Sequence, residues 1–186
     1  TDGLQYSYND EDLTATVSRY TGTATEVVIP AEVTHEGKTY KVTAIGDEPF
    51  QGNSTLTSIT IPEGVTEIAY YAFDGCTSLT NVTIPEGVTY IGNKAFIGCT
   101  SLKSVSLPAS LTVCDRAFYG LNLTKATFAH QEPPRFIVGG DGFWGATIEQ
   151  IQLPEGADEQ AWRDALKSAG LTNQNGGEIQ IIIGEA

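Results

Sequence analysis

The segment Leu56-Thr-Ser-Ile-Thr-Ile-Pro-Glu-Gly-Val65 returns 23 residues later as Leu79-Thr-Asn-Val-Thr-Ile-Pro-Glu-Gly-Val88. It returns again, in looser form, from Leu102 to Leu111. A fixed period of about 20–29 residues means one small supersecondary unit per copy. Such a unit cannot bury its apolar side alone, so successive copies must stack into a solenoid around one continuous core.

A second landmark fixes the register. Ala-Phe occurs at 72–73, 95–96 and 117–118, while Phe50 follows Pro49 and Phe143 follows Gly142. The Phe spacings are 23, 23, 22 and 25, and the pattern persists into Ile148-Glu-Gln-Ile-Gln-Leu-Pro-Glu-Gly156. Within a coil, Leu56, Ile59 and Ile61 point inward from a short strand. Pro62 ends that strand because it has no N–H for the ladder. Gly64 turns the chain, and Val65 and Ile68 point inward from a second short segment. Ala72 and Phe73 fill the convex side, where a small residue must sit beside the large ring.

The predicted fold is therefore a single β-rich, right-handed leucine-rich-repeat solenoid of about five to six coils, spanning 1–186. Residues 1–25 are predicted to form an N-terminal β-hairpin cap, since Leu4–Tyr8 and Thr14–Tyr20 alternate in strand fashion. Leucine-rich coils should fill 26–156. Pro30 to Pro62 is 32 residues, 9 more than the period, and the surplus fits an inserted hairpin at 33–42 with Glu36-Gly37 at its tip. Residues 157–186 should close the other end. A helix is predicted over 157–169, with Trp162, Ala165, Leu166 and Ala169 on one face, then a strand over 178–183.

Charge narrows the partners. The chain carries 23 acidic and 10 basic residues, a net charge of −13. It should be repelled by nucleic acid and by anionic lipid. Between Gly87 and Gln131, however, Lys94, Lys103, Arg116 and Lys125 stand against Asp115 alone. No apolar run approaches the roughly 18 residues a spanning helix needs. No secretory h-region is visible at Thr1 and there is no methionine, so a processed or trimmed chain is expected. The three cysteines do not make a disulfide framework. Cys76 and Cys99 occupy one repeat position and are expected to be free, buried thiols. The coil spacing alone would permit a bridge, but parallel Cβ directions disfavour it. Cys114 appears in the place of Gly92.

The pattern Leu-x-x-Ile-x-Ile-Pro-x-x-Val-x-x-Ile-x-x-x-Ala-Phe-x-x-Cys resembles the BspA-like, Treponema-type leucine-rich repeats of bacterial surface proteins. Leu56 to Asn122 match closely, and Glu26 to Thr55 match with an insertion. Pro133-Pro134, the later Leu-Pro-x-Gly and the Trp-bearing helix are similar to that family's usual finish. The resemblance implies an extracellular or cell-surface setting, with a signal peptide or lipid anchor removed, and adhesion to host or matrix proteins. It brings no shared ligand motif.

A catalytic constellation is not evident. His35 and His130 sit in neither HExxH nor a Cys/His metal spacing. Cys114 with His130 would make a nucleophile–base pair, but no third residue is placed to orient the base. Gly139-Gly-Asp-Gly142 lacks both phosphate-loop patterns, and Asp10-Glu-Asp12 lacks the spacing of a calcium loop. No enzyme, cofactor or metal site is expected.

Columns of outward residues are the better candidates. One strand column reads Thr60, Thr83, Ser106, Thr127 and Gln152, and its neighbour reads Ser58, Asn81, Ser104, Lys125 and Gln150. Threonine and serine also simply suit strands. The column after the repeat Phe reads Gln51, Asp74, Ile97, Tyr119 and Trp144, with Lys94 and Arg116 beside it in register with Tyr71. Tyr119 and Trp144 either form an exposed anchor patch or fold over the irregular fifth coil to close the core. The expected function is a non-enzymatic, monomeric surface or secreted module binding a protein or glycan ligand through Ile97, Tyr119, Trp144, Lys94, Arg116 and the hydroxyl column. A structural spacer displaying a neighbouring domain, or a hydrolase, are the alternatives.

Overall fold

The structure, a computed structural model, describes residues 3–138 and 141–184. The chain opens with an antiparallel hairpin of β1 (Leu4–Asn9) and β2 (Thr14–Tyr20), followed by β3 (Glu26–Val28), β4 (Glu32–His35) and β5 (Lys38–Ile45). The coils supply β6 (Ser58–Thr60), β7 (Glu67–Ile68), β8 (Asn81–Thr83), β9 (Tyr90–Ile91), β10 (Ser104–Leu107), β11 (Val113–Cys114) and β12 (Asn122–Phe128). A short helix α1 (Arg135–Val138), then β13 (Thr147–Leu153), α2 (Glu159–Ser168) and β14 (Gln180–Ile183) complete the chain.

The molecule is a β-solenoid of the leucine-rich-repeat kind. One side of each coil joins a parallel sheet ordered β8-β10-β12-β13-β14, with β3 paired to β6 beyond it. The other side joins a sheet ordered β1-β2-β5-β7-β9-β11, with β4 hydrogen-bonded to β5. The hairpin of β4 and β5 turns at Glu36 and Gly37, both at positive φ. Its second strand is not set apart from the solenoid: Ala44 and Ile45 pair with Glu67 and Ile68 of the next coil.

Packing follows the repeat. Leu56, Ile59, Ile61, Val65, Ile68, Ala72 and Phe73 are all buried, as are their counterparts one coil on. The rings of Phe50, Phe73, Phe96, Phe118 and Phe143 form a continuous stack, with successive centroids 5.0, 5.0, 5.2 and 4.8 Å apart and planes within 18°. Tyr20 extends the stack from the hairpin at 5.2 Å. Each such offset pair adds about 0.5–1.5 kcal/mol beyond its buried area. At the far end Phe143 meets Phe128, and Phe128 meets Trp162 of α2 at 4.9 Å. Asp158 caps α2 by accepting from Ala161 N–H, and the Trp162 indole N–H donates to the Gln131 carbonyl at 3.0 Å.

Threonines stitch coil to coil. Thr66 donates to the Thr43 carbonyl, Thr89 to Thr66, and Thr112 to Thr89. Thr57 and Thr80 do the same toward Thr25 and Thr57. Cys76 and Cys99 are free and buried, their thiols donating to the Phe50 and Phe73 carbonyls at 3.2 and 3.1 Å.

Cys114 differs from its sequence assignment. Strand pairing sets it opposite Ile91 rather than at the position of Gly92. The coil is one residue short, and the deletion falls after Cys114, so the thiol takes an inward apolar position. At Gly92 itself an added Cβ would lie 2.8 Å from the Ala69 carbonyl carbon, closer than real side chains approach backbone.

Candidate binding surface

The turn before Phe50, Phe73, Phe96 and Phe118 carries a residue in the left-handed backbone region. Glu48, Tyr71, Lys94 and Arg116 have φ of 60, 52, 56 and 48°, and none is glycine. This conformation costs an L-residue roughly 1–2 kcal/mol. Hydrogen bonds to the next coil hold it: Tyr71 N–H donates to Asn93, Lys94 N–H to Asp115 and Arg116 N–H to Asp141, at 3.2, 3.2 and 2.8 Å. Side chains from successive coils therefore project in one column.

The residue after each Phe forms the adjacent column. Gln51 donates to the Asp74 carboxylate at 2.9 Å, Ile97 is half-buried, and Tyr119 and Trp144 are 40% and 53% exposed. Tyr119 and Trp144 thus do not close the core over the fifth coil. The two columns interlock. Lys94 Nζ lies 6.0 Å from the Tyr71 ring centroid and 5.9 Å from that of Tyr119. The Arg116 guanidinium carbon lies 5.0 Å from the Trp144 centroid. A cation over a ring is held by the ring quadrupole, for about 0.5–1 kcal/mol at an exposed site. Among the described residues neither Lys94 nor Arg116 has an ion-pair partner. Asp115, which precedes Arg116 in sequence, accepts instead from the Asn93 amide at 3.1 Å.

The hydroxyl column behaves differently along its length. Thr83, Ser106 and Thr127 stand side by side in register, and Gln152 follows. Thr60 pairs instead with Val28 in the two-stranded ladder. The three hydroxyls of Thr83, Ser106 and Thr127 make no hydrogen bond among the described residues, unlike the stitching threonines, and they line a groove of about 430 Å³. Glu63 and Glu86 lie along it, with Pro85, Pro108 and Pro154 as further walls. Gln152 is buried and closes one end, donating to the Gly184 carbonyl at 2.9 Å.

Other candidates from the sequence are not brought together. Cys114 is buried in the core, and burial pushes its thiol well above the usual cysteine range. The His130 Nε2 faces the Leu111 carbonyl at 3.0 Å, so that nitrogen carries the proton, and the ring packs on Phe128 and Phe136. No hydrogen bond joins the two residues among those described. His35 stacks on Tyr8 at 4.3 Å, and Asp10 accepts from Lys38 and Tyr40, fastening the first hairpin to the second. Among the described residues no group of His, Cys, Asp or Glu could hold a metal ion, and no helix is long and apolar enough to cross a membrane. The glycine run at 139–142 lies partly outside the described residues.

The repeat geometry has a counterpart in known sequences. Six copies of the BspA type leucine rich repeat region match residues 24–132. The chain belongs to the BspA-type leucine-rich repeat family. No curated protein matches it significantly. Among solved structures, it is similar to a leucine-rich repeat protein from Bacteroides capillosus, at 33% identity over 70% of this chain and 96% of that one, with a TM-score of 0.65. It is also similar to a leucine rich cell surface protein from Faecalibacterium prausnitzii, at 26% identity and a TM-score of 0.55. That match covers 98% of this chain but only 53% of the other. The T. pallidum leucine rich repeat protein shares the fold at 21% identity and a TM-score of 0.57, over 90% of this chain and 94% of that one. The outward letters change from coil to coil within this chain, so these matches identify the scaffold and leave the surface columns to be read from its own geometry.

Proposed function

We propose that this BspA-type protein is a non-enzymatic bacterial module, displayed at the cell surface or secreted, that binds a protein ligand. The observation that carries the reading is the exposed pair Tyr119 and Trp144 on adjacent coils, each faced by a cation. Tyr, Trp and Arg dominate interface hot spots, and Tyr and Trp add large, stiff contact area at small entropic cost. Tyr119 and Trp144 stand on adjacent coils beside the half-buried Ile97, and a contiguous apolar patch of this kind, unlike scattered single residues, marks an interaction surface. The surface setting takes support from the F. prausnitzii relative, whose description is a cell surface protein.

The test is a binding screen of purified protein against extracellular matrix proteins and glycans. It compares the unaltered chain with Tyr119→Ala and Trp144→Ala, and follows folding by circular dichroism. Loss of a ligand in both folded variants supports the reading. A ligand retained by both places recognition elsewhere, and no ligand at all favours a spacer that displays a neighbouring domain.

A second reading rests on the free hydroxyls of Thr83, Ser106 and Thr127 in their groove. Unpaired, uncharged donors and acceptors at regular spacing suit a glycan. In the same screen, Ser106→Ala with Thr127→Val would then abolish a glycan signal that Trp144→Ala leaves intact.

A further inference from the structure

We infer that the occupant of the Tyr119–Trp144 strip is an extended acidic peptide segment, whose carboxylates meet Lys94 and Arg116 while an apolar side chain about three residues along packs on Trp144. The inference rests on the protein-binding reading above and names the partner's chemistry.

The charge distribution comes first. Among the described residues only Lys38 and Arg163 of the ten bases are ion-paired, so what sets Lys94 and Arg116 apart is their position on adjacent coils, each over an exposed ring. Lys38 pairs with Asp10 and Arg163 with Glu159, both at under 3 Å. Lys94 and Arg116 pair with none among the described residues and face rings instead. An aromatic face occupies one side of a guanidinium but leaves its in-plane N–H groups free. Those groups form the fork that takes a carboxylate in two parallel bonds. Lys94 is likewise braced between two rings, so its ammonium loses little freedom on binding an anion.

The surroundings select a short anion-bearing segment over a polyanion. Glu48 and Asp74 stand at one end of the strip, and Asp115 and Asp141 stand beside its cations. A continuously charged chain running beyond Lys94 and Arg116 would meet these carboxylates within a screening length of about 8 Å. A peptide with one or two acids can set them on the cations and keep clear of Glu48 and Asp74. Distance also fits. The step from Lys94 to Trp144 is two coils, roughly 10 Å, which extended chain covers in about three residues. An acid and an apolar residue about three positions apart would therefore reach both ends together. The apolar residue has a place to go, since Trp144 is more than half exposed.

The test uses the full chain, immobilised, and a displayed library of short random peptides, with a sulfated oligosaccharide run in parallel. Enriched peptides are then synthesised with each Asp or Glu and with its amide. The expected result is enrichment of an acid within about three residues of an aromatic or aliphatic side chain. The amide peptides, Lys94→Gln and Arg116→Gln should each weaken binding about tenfold, the scale of one lost charge-assisted hydrogen bond. Arg116→Lys should recover part of it, and raising salt should weaken binding further. Because the amide peptides need no change in the protein, they decide the matter even where a variant fails to fold.

Three results overturn the inference in distinguishable ways. Peptides that bind without acids, yet are lost in Trp144→Ala, remove the acidic partner and keep the strip. Strip-dependent binding of the oligosaccharide without peptide enrichment puts another ligand class there. Binding indifferent to both Trp144→Ala and Lys94→Gln, or neither peptide enrichment nor oligosaccharide binding, removes the strip as well.

Discussion

Arg116 and Trp144 face one another across a coil boundary, with the guanidinium carbon 5.0 Å from the indole centroid. Arg116 holds this position from a left-handed backbone turn that glycine would adopt without strain. Glycine there would remove both the strain and the side chain that faces Trp144.

A double-mutant cycle reads the pair directly. Arg116→Ala, Trp144→Ala and the double variant should show a coupling of about 0.5–1 kcal/mol in urea unfolding. Arg116→Lys should retain part of it. A coupling of zero means that the pairing adds nothing to folding in solution.

Glu48 tests the strain separately, because it lies outside the proposed strip's cations. Its φ is 60°. Glu48→Gly should relieve about 1–2 kcal/mol of backbone strain, against about 0.5–1 kcal/mol of added chain entropy. The net expected outcome is a gain of up to about 1.5 kcal/mol. A loss in urea unfolding would show that the Glu48 side chain itself is needed.

The phenylalanine stack should respond as a unit. Phe96 is fully buried with a ring 5.0 Å away on one side and 5.2 Å on the other. Phe96→Ala should cost about 3–5 kcal/mol in urea unfolding. Since each coil contacts only its neighbours, the damage should spread from the middle and broaden the transition. A cost below about 1 kcal/mol would mean that the coils refill the gap.

The thiols give a pH dependence with a definite sign. Burial pushes Cys76 up from 9.0 to about 12, and burial raises Cys99 as well. The folded state keeps these protons longer than the unfolded chain does. Their stabilising effect is fully present below pH 9 and is lost as pH rises from 9 toward 12. Unfolding midpoints should therefore fall more steeply over that range in the unaltered chain than in Cys76→Ala. At pH 8 all three thiols should resist Ellman's reagent until denaturant is added. Prompt reaction at pH 8 would contradict their burial.

The scaffold was legible because its determinants are periodic. Phe50 through Phe143 mark every coil, and the structure stacks them in that order. The helix around Trp162 was legible from its spacing, with Asp158 as its cap. Cys114 was not, since a one-residue deletion can be drawn on either side of it and only strand pairing with Ile91 decides. The four-residue helix α1 escaped because it is too short for any period to appear. Threonines divided in a way that letters do not reveal. Thr66, Thr89 and Thr112 also repeat in register, yet their hydroxyls are bonded to carbonyls of the coil before, whereas those of Thr83, Ser106 and Thr127 remain open. The sequence columns named Lys94 and Tyr119, but their contact depends on side-chain reach across a coil.

The coil-by-coil bonds from each turn to the next have a consequence for how such a gene can change. Every rung is fastened only to its neighbours, so duplicating one 23-residue unit inserts a rung and leaves the rest of the ladder as it was. The outer strip lengthens by one strand spacing, about 4.8 Å, at each event. Unequal recombination can therefore alter reach in fixed increments while point substitution rewrites single rungs, and size and specificity become separately adjustable properties of the same surface.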